Sequence, residues 1–170
     1  VGLILAYMGA VQLQQFGAQI FIADLVGIGM VREMAALMTG IIMAGRSGAA
    51  FAAQLGTMQV NEEIDALKTL GISPMEYLGL PRMLALIMMV PLLTVYGSIV
   101  GIIAGLVIAV FAFDVTAFEY YNQTIRALDM RQVLIGLSKA SVYGVLIAYS
   151  GCLRGMQCGR SASAVGEATT

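Results

Sequence analysis

The feature that most constrains this chain is an apolar block from Met83 to Phe113, which holds 31 residues and no formal charge. A helix of about 20 residues already crosses a hydrocarbon core of roughly 30 Å. The block therefore predicts a membrane-spanning helix, with a kink at Pro91, because proline removes a helical hydrogen bond. Of the 170 residues 59% are hydrophobic and 11% are charged, so other parts of the chain are expected to lie in the membrane as well.

Four spans can be drawn, which predicts an all-α fold: a polytopic transmembrane helical bundle. The spans are Val1 to about Gly17, about Leu25 to Phe51, about Leu80 to Phe113, and about Gln132 to Leu153. The sequence begins inside an apolar run and ends in a polar stretch. We therefore expect both ends to be cut from a longer protein.

The positions of Lys and Arg predict the orientation of the bundle in the membrane. Five of these residues lie between the second and third spans or in the C-terminal segment: Arg46, Lys68, Arg82, Arg154 and Arg160. Arg126 and Arg131 lie between the third and fourth spans. Because the side with more Lys and Arg usually faces the cytoplasm, five against two predicts that the 46–82 connection and the C-terminal segment lie there.

Small residues recur four positions apart in the predicted spans, where they share a helix face and let backbones approach closely. The three series are Gly97, Gly101, Gly105; Gly136, Ala140, Gly144, Ala148; and Gly48, Ala52, Gly56. They are consistent with packing inside one chain and with the interface of a homodimer. A single chain with so few spans makes a poor transport pathway alone, which favours the dimer.

A short helix is predicted in the cytoplasmic connection, from about Val60 to Leu70. Asn61 is a favourable N-cap and is followed by acidic residues, which the helix dipole favours in the first turn. Gly71 is the residue type preferred just after the last turn of a helix. Ser73 and Glu76 predict a capping box at the start of the next helix, with Pro74 in its first turn.

The pattern of this helix predicts one apolar face and one charged face. The apolar stripe comprises Val60, Ile64, Leu67 and Leu70, and the charged residues are Glu63, Asp65 and Lys68. A helix lying on lipid is one interpretation. The polar face is mainly acidic, which anionic lipid repels, so a protein partner is the better interpretation.

The sequence argues against enzymatic chemistry. The chain has no His, the usual general base and a common metal ligand. Residues 45–48 match the G-x-S-G string of rhomboid-type intramembrane proteases, but that chemistry needs a His to take the serine proton. A nucleotide-binding P-loop is also excluded, because neither Lys68 nor Lys139 follows a glycine. ATP hydrolysis, if it drives this protein, is expected on another chain.

No cofactor, metal site or nucleic-acid site is predicted. Cys152 and Cys158 have five residues between them, a spacing typical of neither zinc nor redox motifs, and we interpret them as small, partly buried thiols. The net charge is −1, and no basic cluster is present to bind nucleic acid.

Three charged residues are predicted inside the spans: Arg32, Glu33 and Lys139. Each lies about 10–12 Å from the non-cytoplasmic end of its span, where a charge is costly unless it is paired or hydrated. Arg32 and Glu33 are adjacent, so they should not share one helix face. One interpretation pairs Glu33 with Lys139 and lets Arg32 hold a phosphate by its fork of donors. The other is a structural ion pair with side chains that reach the membrane surface.

The chain resembles the MlaE/YrbE permeases of MCE-type ABC transporters. The matching motifs are V-R-E at 31–33, A-G-R-x-G-[SA]-A at 44–50, E-[LI]-G-x-M at 54–58, E-x-[IL]-D-A-L at 62–67, G-[IV]-x-P at 71–74 and P-R at 81–82. The ending at 165–170 is similar to V-G-R-A-T-T. Two positions depart from these patterns, because Gln54 replaces a Glu and Glu167 replaces an Arg.

The resemblance implies a single MlaE-type permease domain over residues 1–170, without the family's N-terminal interfacial helix and last transmembrane helix. It also implies a homodimeric permease for phospholipid or related lipid. An ABC ATPase would bind the short helix from about Val60 to Leu70, which is then called the coupling helix, and an MCE-domain substrate-binding protein would bind the other face. The expected location is the bacterial inner membrane, with an organelle inner envelope as the alternative. An ATP-independent channel or secondary transporter is the alternative function, and a membrane scaffold is a third.

The resemblance also implies roles for particular residues. Arg32, Glu33 and Lys139 would contact lipid. The ATPase-coupling set would comprise Gly56, Val60, Glu63, Ile64, Asp65, Leu67 and Leu70.

Overall fold

The computed structural model describes residues 1–159 and 161–169, so the predicted cytoplasmic charge at Arg160 lies outside the described residues. The helices are α1 (Gly2–Gln14), α2 (Ile22–Val60), α3 (Glu63–Thr69), α4 (Met75–Phe113), α5 (Ala117–Ala127), α6 (Met130–Met156) and α7 (Ala162–Thr169). A 3₁₀ turn, Gln19–Phe21, precedes α2. The described part of the chain contains no β-strand, and the predicted all-α fold is confirmed.

Three helices, α2, α4 and α6, are long and apolar enough to cross a membrane, with 39, 39 and 27 residues. Pro91 lies inside α4 without ending it. The first predicted span forms α1, which has 13 residues and falls short of the roughly 20 needed to cross. It stops before Gly17, whose φ of +65° reverses the chain. The amides of Gly17 and Ala18 bond back to Gln14 and Leu13, which is a Schellman ending.

Three segments of the long helices are π-helical: Met30–Met34 and Ala44–Gly48 in α2, and Met75–Gly79 at the start of α4. Such wide turns interrupt the regular hydrogen-bond ladder and occur frequently at functional sites. The first carries the predicted charges Arg32 and Glu33, and the second carries Arg46. Two of the three π-helical segments therefore carry charged residues that the sequence analysis assigned to a site or to the orientation.

The chain divides into two compact units. Unit 1 comprises Val1–Thr39 and Leu92–Ala140, and unit 2 comprises Gly40–Pro91 and Ser141–Thr170. In unit 1, Ile22, Val26 and Met30 of α2 are buried in a cluster that includes the alanines of α1. Tyr120 of α5 is buried in a second cluster with Ala109 of α4. The short helices α1 and α5 are thus tied to the membrane-spanning helices by apolar packing.

Unit 2 is built on close approaches between helix backbones. A Cβ at Gly151 of α6 would lie 2.9 Å from the carbonyl oxygen of Gly48 in α2, and one at Gly144 would lie 3.1 Å from that of Leu86 in α4. A backbone approach also occurs in unit 1, where a Cβ on Gly136 of α6 would collide with the carbonyl oxygen of Val31 in α2. The small-residue series therefore pack helices within one chain, the first of the two interpretations. A homodimer interface remains a prediction.

Candidate functional site

A cluster of charges lies within the spans of unit 1, where α2 and α6 meet. Lys139 Nζ donates to Glu33 Oε1 at 2.5 Å, and Arg32 Nε lies 3.4 Å from the same oxygen. Arg32 also donates through Nη1 to Gln132 Oε1 at 3.4 Å. All three charged side chains are between one-third and one-half exposed, at 45% for Arg32, 48% for Glu33 and 37% for Lys139. The cluster is open to its surroundings, and one carboxylate is shared by two cations.

The side chains of Arg32 and Glu33 contact each other although the two residues are adjacent, with Arg32 Nε 3.4 Å from Glu33 Oε1. Both residues lie in the π-helical segment Met30–Met34. Two long side chains can meet in this way from different helix faces, so the expectation that the residues occupy different faces stays a prediction. The interpretation that pairs Glu33 with Lys139 agrees with the geometry, although the lipid-binding role of these residues remains a prediction.

Gly136 sets the distance between the two helices beside this cluster. A Cβ at this position would collide with the backbone carbonyl oxygen of Val31. Ala140, one turn further along α6, is fully buried. Because the backbones touch at Gly136, Lys139 is brought within reach of Glu33. The small residues of α6 thus position the charge cluster as well as the helix.

The predicted coupling helix is present but shorter than expected. It spans the seven residues Glu63–Thr69 instead of about Val60 to Leu70. Asn61 is not its N-cap, because α2 continues to Val60 and Asn61 closes that helix. Glu62 then takes a left-handed conformation with φ of 61° and reverses the chain. The prediction that Gly71 follows the last turn of this helix is confirmed. Its φ is +74°, and the amides of Gly71 and Ile72 donate to the carbonyl oxygens of Lys68 and Leu67 in a Schellman motif.

The helix start predicted at Pro74 is confirmed, because Pro74 is helical and the amide of Tyr77 donates to the carbonyl oxygen of Ser73 at 3.1 Å. The predicted capping box is wrong, because no side-chain hydrogen bond caps this helix end among the described residues.

The residues of the predicted coupling set lie in different environments. Ile64 is buried with 3% of its surface exposed, whereas Leu70 is 72% exposed. Val60, Asp65 and Leu67 are half-buried, and Glu63 is exposed. Asp65 pairs with Lys68 at 3.2 Å. Gly56 is buried in α2, where a Cβ would lie 3.3 Å from Val165 of α7, so its contacts are with α7.

A cavity of about 490 Å³ lies beside α3, and sequence reasoning did not assign it. Its charged lining residues are Glu63 of α3 and Arg82 of α4, and Gln54, Thr57 and Asn61 supply polar groups. The Arg82 guanidinium lies 5.6 Å from the centre of the Phe51 ring. Its Nη1 atom is buried with no hydrogen-bond partner among the described residues. The P-R motif marks Arg82 in the sequence, but its pairing with Phe51 depends on tertiary packing.

Sequence reasoning also missed Asp24, Gln123 and Gln132. Gln132 touches the charge cluster, and Gln123 Nε2 donates to Asp24 Oδ2 at 2.9 Å. Asp24 follows an apolar turn at the start of a span, a signal that could have marked it as an acid in the membrane. Gln123 gave no such signal, because an amide in a polar connection is usually solvated, and Gln132 gave none because it lies at the predicted end of a span.

The comparison with known families decides what kind of protein this is. The family model for permease MlaE matches residues 1–170. The chain belongs to the MlaE permease family. The predicted resemblance is therefore confirmed.

Several curated relatives are ABC transporter permeases by name. A probable ABC transporter permease of Rickettsia prowazekii is 37% identical over 169 residues, which are 99% of this chain and 65% of the relative. A similarly named protein of Synechocystis is 36% identical over 170 residues, again 65% of the relative. Protein TRIGALACTOSYLDIACYLGLYCEROL 1, chloroplastic, of Arabidopsis thaliana is 34% identical over 149 residues, 88% of this chain and 43% of that protein.

This MlaE-family chain spans 65% of the length of the first two relatives, so the activity, substrate and partners of the whole protein are matters for proposal. The family match and three helices that are long and apolar enough to cross a membrane identify the chain as a multi-pass membrane protein of a permease family.

Proposed function

We propose that this chain forms the core of a permease subunit that moves phospholipid or a related lipid between membranes, powered by a separate ABC ATPase. The observation that carries the lipid proposal is the shared carboxylate of the charge cluster. Arg32 and Lys139 both lie against Glu33, so the cluster carries one surplus positive charge. A half-exposed cationic site inside a span is complementary to a lipid phosphate, which Arg can hold through two parallel hydrogen bonds.

The ATPase proposal rests on α3 and on the relatives. Relatives at 36–37% identity are named as ABC transporter permeases, and this chain carries no P-loop of its own. Helix α3 carries exposed Glu63, and exposed Leu70 follows its last residue, which together give a mixed surface suited to a protein partner. Closure of the ATPase on nucleotide binding would push α3 and tilt the helices that flank it, α2 and α4.

The remaining parts of the assembly are proposed from the family resemblance. They are a homodimer of the permease, an MCE-domain protein on the non-cytoplasmic face, and the bacterial inner membrane as location, with an organelle inner envelope as the alternative. The relative from Arabidopsis is named chloroplastic, which is compatible with that alternative.

Reconstitution of the full-length protein tests the proposal. The permease, with and without the ATPase that copurifies with it, is placed in liposomes, and transfer of a fluorescent phospholipid to acceptor vesicles is followed. We expect transfer that requires both the ATPase and ATP hydrolysis. Transfer that continues at the same rate without the ATPase would instead support an ATP-independent channel or secondary transporter, and no transfer at all would support a scaffold.

A further inference from the structure

Helix α5 runs beside the end of α4, although its sequence lies in a predicted connection between spans. The chain turns at Asp114, whose φ of 54° is left-handed. Tyr120 of α5 then donates to the carbonyl oxygen of Ile102 at 3.3 Å, and Ile102 lies about 16 Å along the axis of α4 from Phe113. A tyrosine side chain is much shorter than this distance, so α5 itself lies alongside the apolar block of α4.

The same side of α5 is also fixed against the first turns of α2. Gln123 Nε2 donates to Asp24 Oδ2 at 2.9 Å, and a Cβ at Gly27 would lie 3.6 Å from Thr124. Tyr120 and Thr124 are both buried. One face of α5 is therefore occupied by α2 and α4, within unit 1.

The rest of the α5 surface divides into an apolar strip and a charged strip. Phe118, Tyr121 and Ile125 are 74%, 60% and 54% exposed and fall within about 60° of one another on the helix. Glu119 and Arg126 are also exposed, and they project roughly 120° away from the apolar strip. A helix with protein on one face, apolar side chains on the second and charges on the third is suited to the boundary between lipid and water.

Lipid already borders α4 at the level where α5 packs. Ile103, Val107 and Phe111 recur every four residues on α4 and are 56%, 43% and 84% exposed. Exposed apolar side chains on a spanning helix face the hydrocarbon core. These residues cover the same stretch of α4 that contacts Tyr120, so the apolar strip of α5 lies at a depth where α4 faces lipid.

We propose that α5 is an interfacial helix, whose apolar strip of Phe118, Tyr121 and Ile125 is inserted among lipids at the membrane surface while its charged strip faces water. The hydroxyl of Tyr121 then points to the headgroups, as is usual for tyrosine at this depth. A lipid surface fits the strip better than a protein, because three side chains alone fall short of the about 800 Å² that each partner buries in a stable interface. This segment is therefore membrane-bound, whether or not the protein transports lipid.

Single tryptophans in the full-length protein, reconstituted in phospholipid vesicles, test the proposal. The chain has no Trp, so any Trp in the rest of the full-length protein is replaced by Phe, and one is introduced by Phe118→Trp or Ile125→Trp. Quenching by phospholipids brominated at different depths is compared with quenching by acrylamide in the water. We expect brominated lipid to remove most of the fluorescence. The loss should be largest with bromine near the headgroup, because the apolar face of an interfacial helix lies about 5–10 Å into the boundary.

The matched control is Arg126→Trp, at the neighbouring position on the charged strip, which acrylamide should quench several-fold more strongly than Ile125→Trp. Unchanged unfolding temperatures would show that the variants keep the fold, as expected for substitutions at exposed positions. Equal acrylamide quenching at all three positions would place the apolar strip in water and overturn the proposal. Resistance of Phe118→Trp and Ile125→Trp to both quenchers would place the strip under a second copy or a partner protein, and would overturn it as well.

Discussion

At the scale of single residues, the sharing of Glu33 by two cations is the most informative arrangement in the molecule. A structural ion pair needs one cation, and Lys139 at 2.5 Å already supplies it. Arg32 makes longer contacts, 3.4 Å to both Glu33 and Gln132. Its guanidinium therefore keeps donors available for another anion. Substitution of Arg32 should therefore affect lipid binding while leaving the Glu33–Lys139 ion pair in place.

We predict that Arg32→Gln lowers the phospholipid retained by the purified full-length protein by about tenfold, the loss expected for a charged hydrogen bond. The midpoint of thermal unfolding should change little, because the Glu33–Lys139 pair remains. Bound lipid is measured by mass spectrometry after extraction. Arg126→Gln is the control, since Arg126 is exposed on α5. Equal lipid retention in both variants would support the structural ion pair instead.

Replacing Gly136 by alanine should destabilise the protein, which is the opposite of the usual effect of Gly→Ala in a helix. Gly→Ala in a helix normally stabilises it by up to about 1 kcal/mol. A methyl group at Gly136 meets the Val31 carbonyl oxygen, so Gly136→Ala should instead destabilise the protein by about 1–3 kcal/mol, as overpacking does. Unfolding in detergent measures the change. Gly45→Ala is the matched control, because nothing lies within 4 Å of a Cβ there, and equal stability of the two variants would contradict the close contact.

At the scale of elements, α3 is held by one residue and exposes another. Ile64 is buried, and Leu70 is largely exposed just past the end of the helix. The residues of the apolar stripe predicted from the sequence therefore do not all lie in one environment. Ile64 holds α3 to the protein, and Leu70 is available to a partner.

We predict that Leu70→Asp reduces copurification of the ATPase at least about tenfold while thermal unfolding stays unchanged, since a charge would replace an apolar contact at a protein interface. Ile64→Asp should lower the unfolding temperature, because it buries an unpaired charge. Tyr121→Asp on α5 is the control for Leu70→Asp, because Tyr121 is 60% exposed. Full ATPase association in Leu70→Asp would remove the coupling role from this end of α3.

Helix α5 lies in a segment that the sequence predicts as a connection between spans, yet it contributes a buried residue to the core. Tyr120 is 1% exposed and donates to the carbonyl oxygen of Ile102 at 3.3 Å. Gly105 makes room for it, since a Cβ there would lie 2.7 Å from the Tyr120 hydroxyl. Burial raises the pKa of Tyr120 to about 12. The side chain is therefore held in its neutral form.

This shift predicts a loss of stability at alkaline pH. The folded-state pKa is raised above the unfolded value of about 10, so the stabilising contribution is complete below about pH 10. It is then lost as the pH rises from about 10 through 12. The difference in unfolding free energy between the wild type and Tyr120→Phe, measured by thermal unfolding, should show this decline. The contributions of the other tyrosines are the same in both proteins and cancel in the difference. A pH-independent difference would show that Tyr120 ionises equally in both states.

At the scale of the whole molecule, the orientation in the membrane remains a prediction that labelling can decide. Helix α4 is one candidate span between α3 and α5, so these two short helices should reach opposite sides of the membrane. In a variant without Cys152 and Cys158, Leu70→Cys should react with an impermeant maleimide only when the cytoplasmic side is exposed. Tyr121→Cys should react from the other side. Labelling of Leu70→Cys from outside intact cells would place α3 where no ATPase can reach it.

Apolar periodicity and composition were sufficient for the all-α fold, the three long spans and the position of α3, because these depend on short stretches of chain. Helix ends were less predictable. Asn61 has the chemistry of an N-cap, but α2 extends to Val60 and leaves it at the end of that helix. Local propensity is a weak preference that packing of the neighbouring helix overrides.

The sequence by itself determined that this chain enters a membrane and that charges lie in its spans, since these follow from residue types and their spacing. Only the tertiary structure decided which charges meet. Glu33 and Lys139 are 106 positions apart, and the contact at Gly136 together with the π-helical turn at Met30–Met34 brings them and Arg32 together. The hydrogen bond from Gln123 to Asp24 likewise requires α2 and α5 to pack together. Such sites depend on distances between helices, which local pattern does not encode.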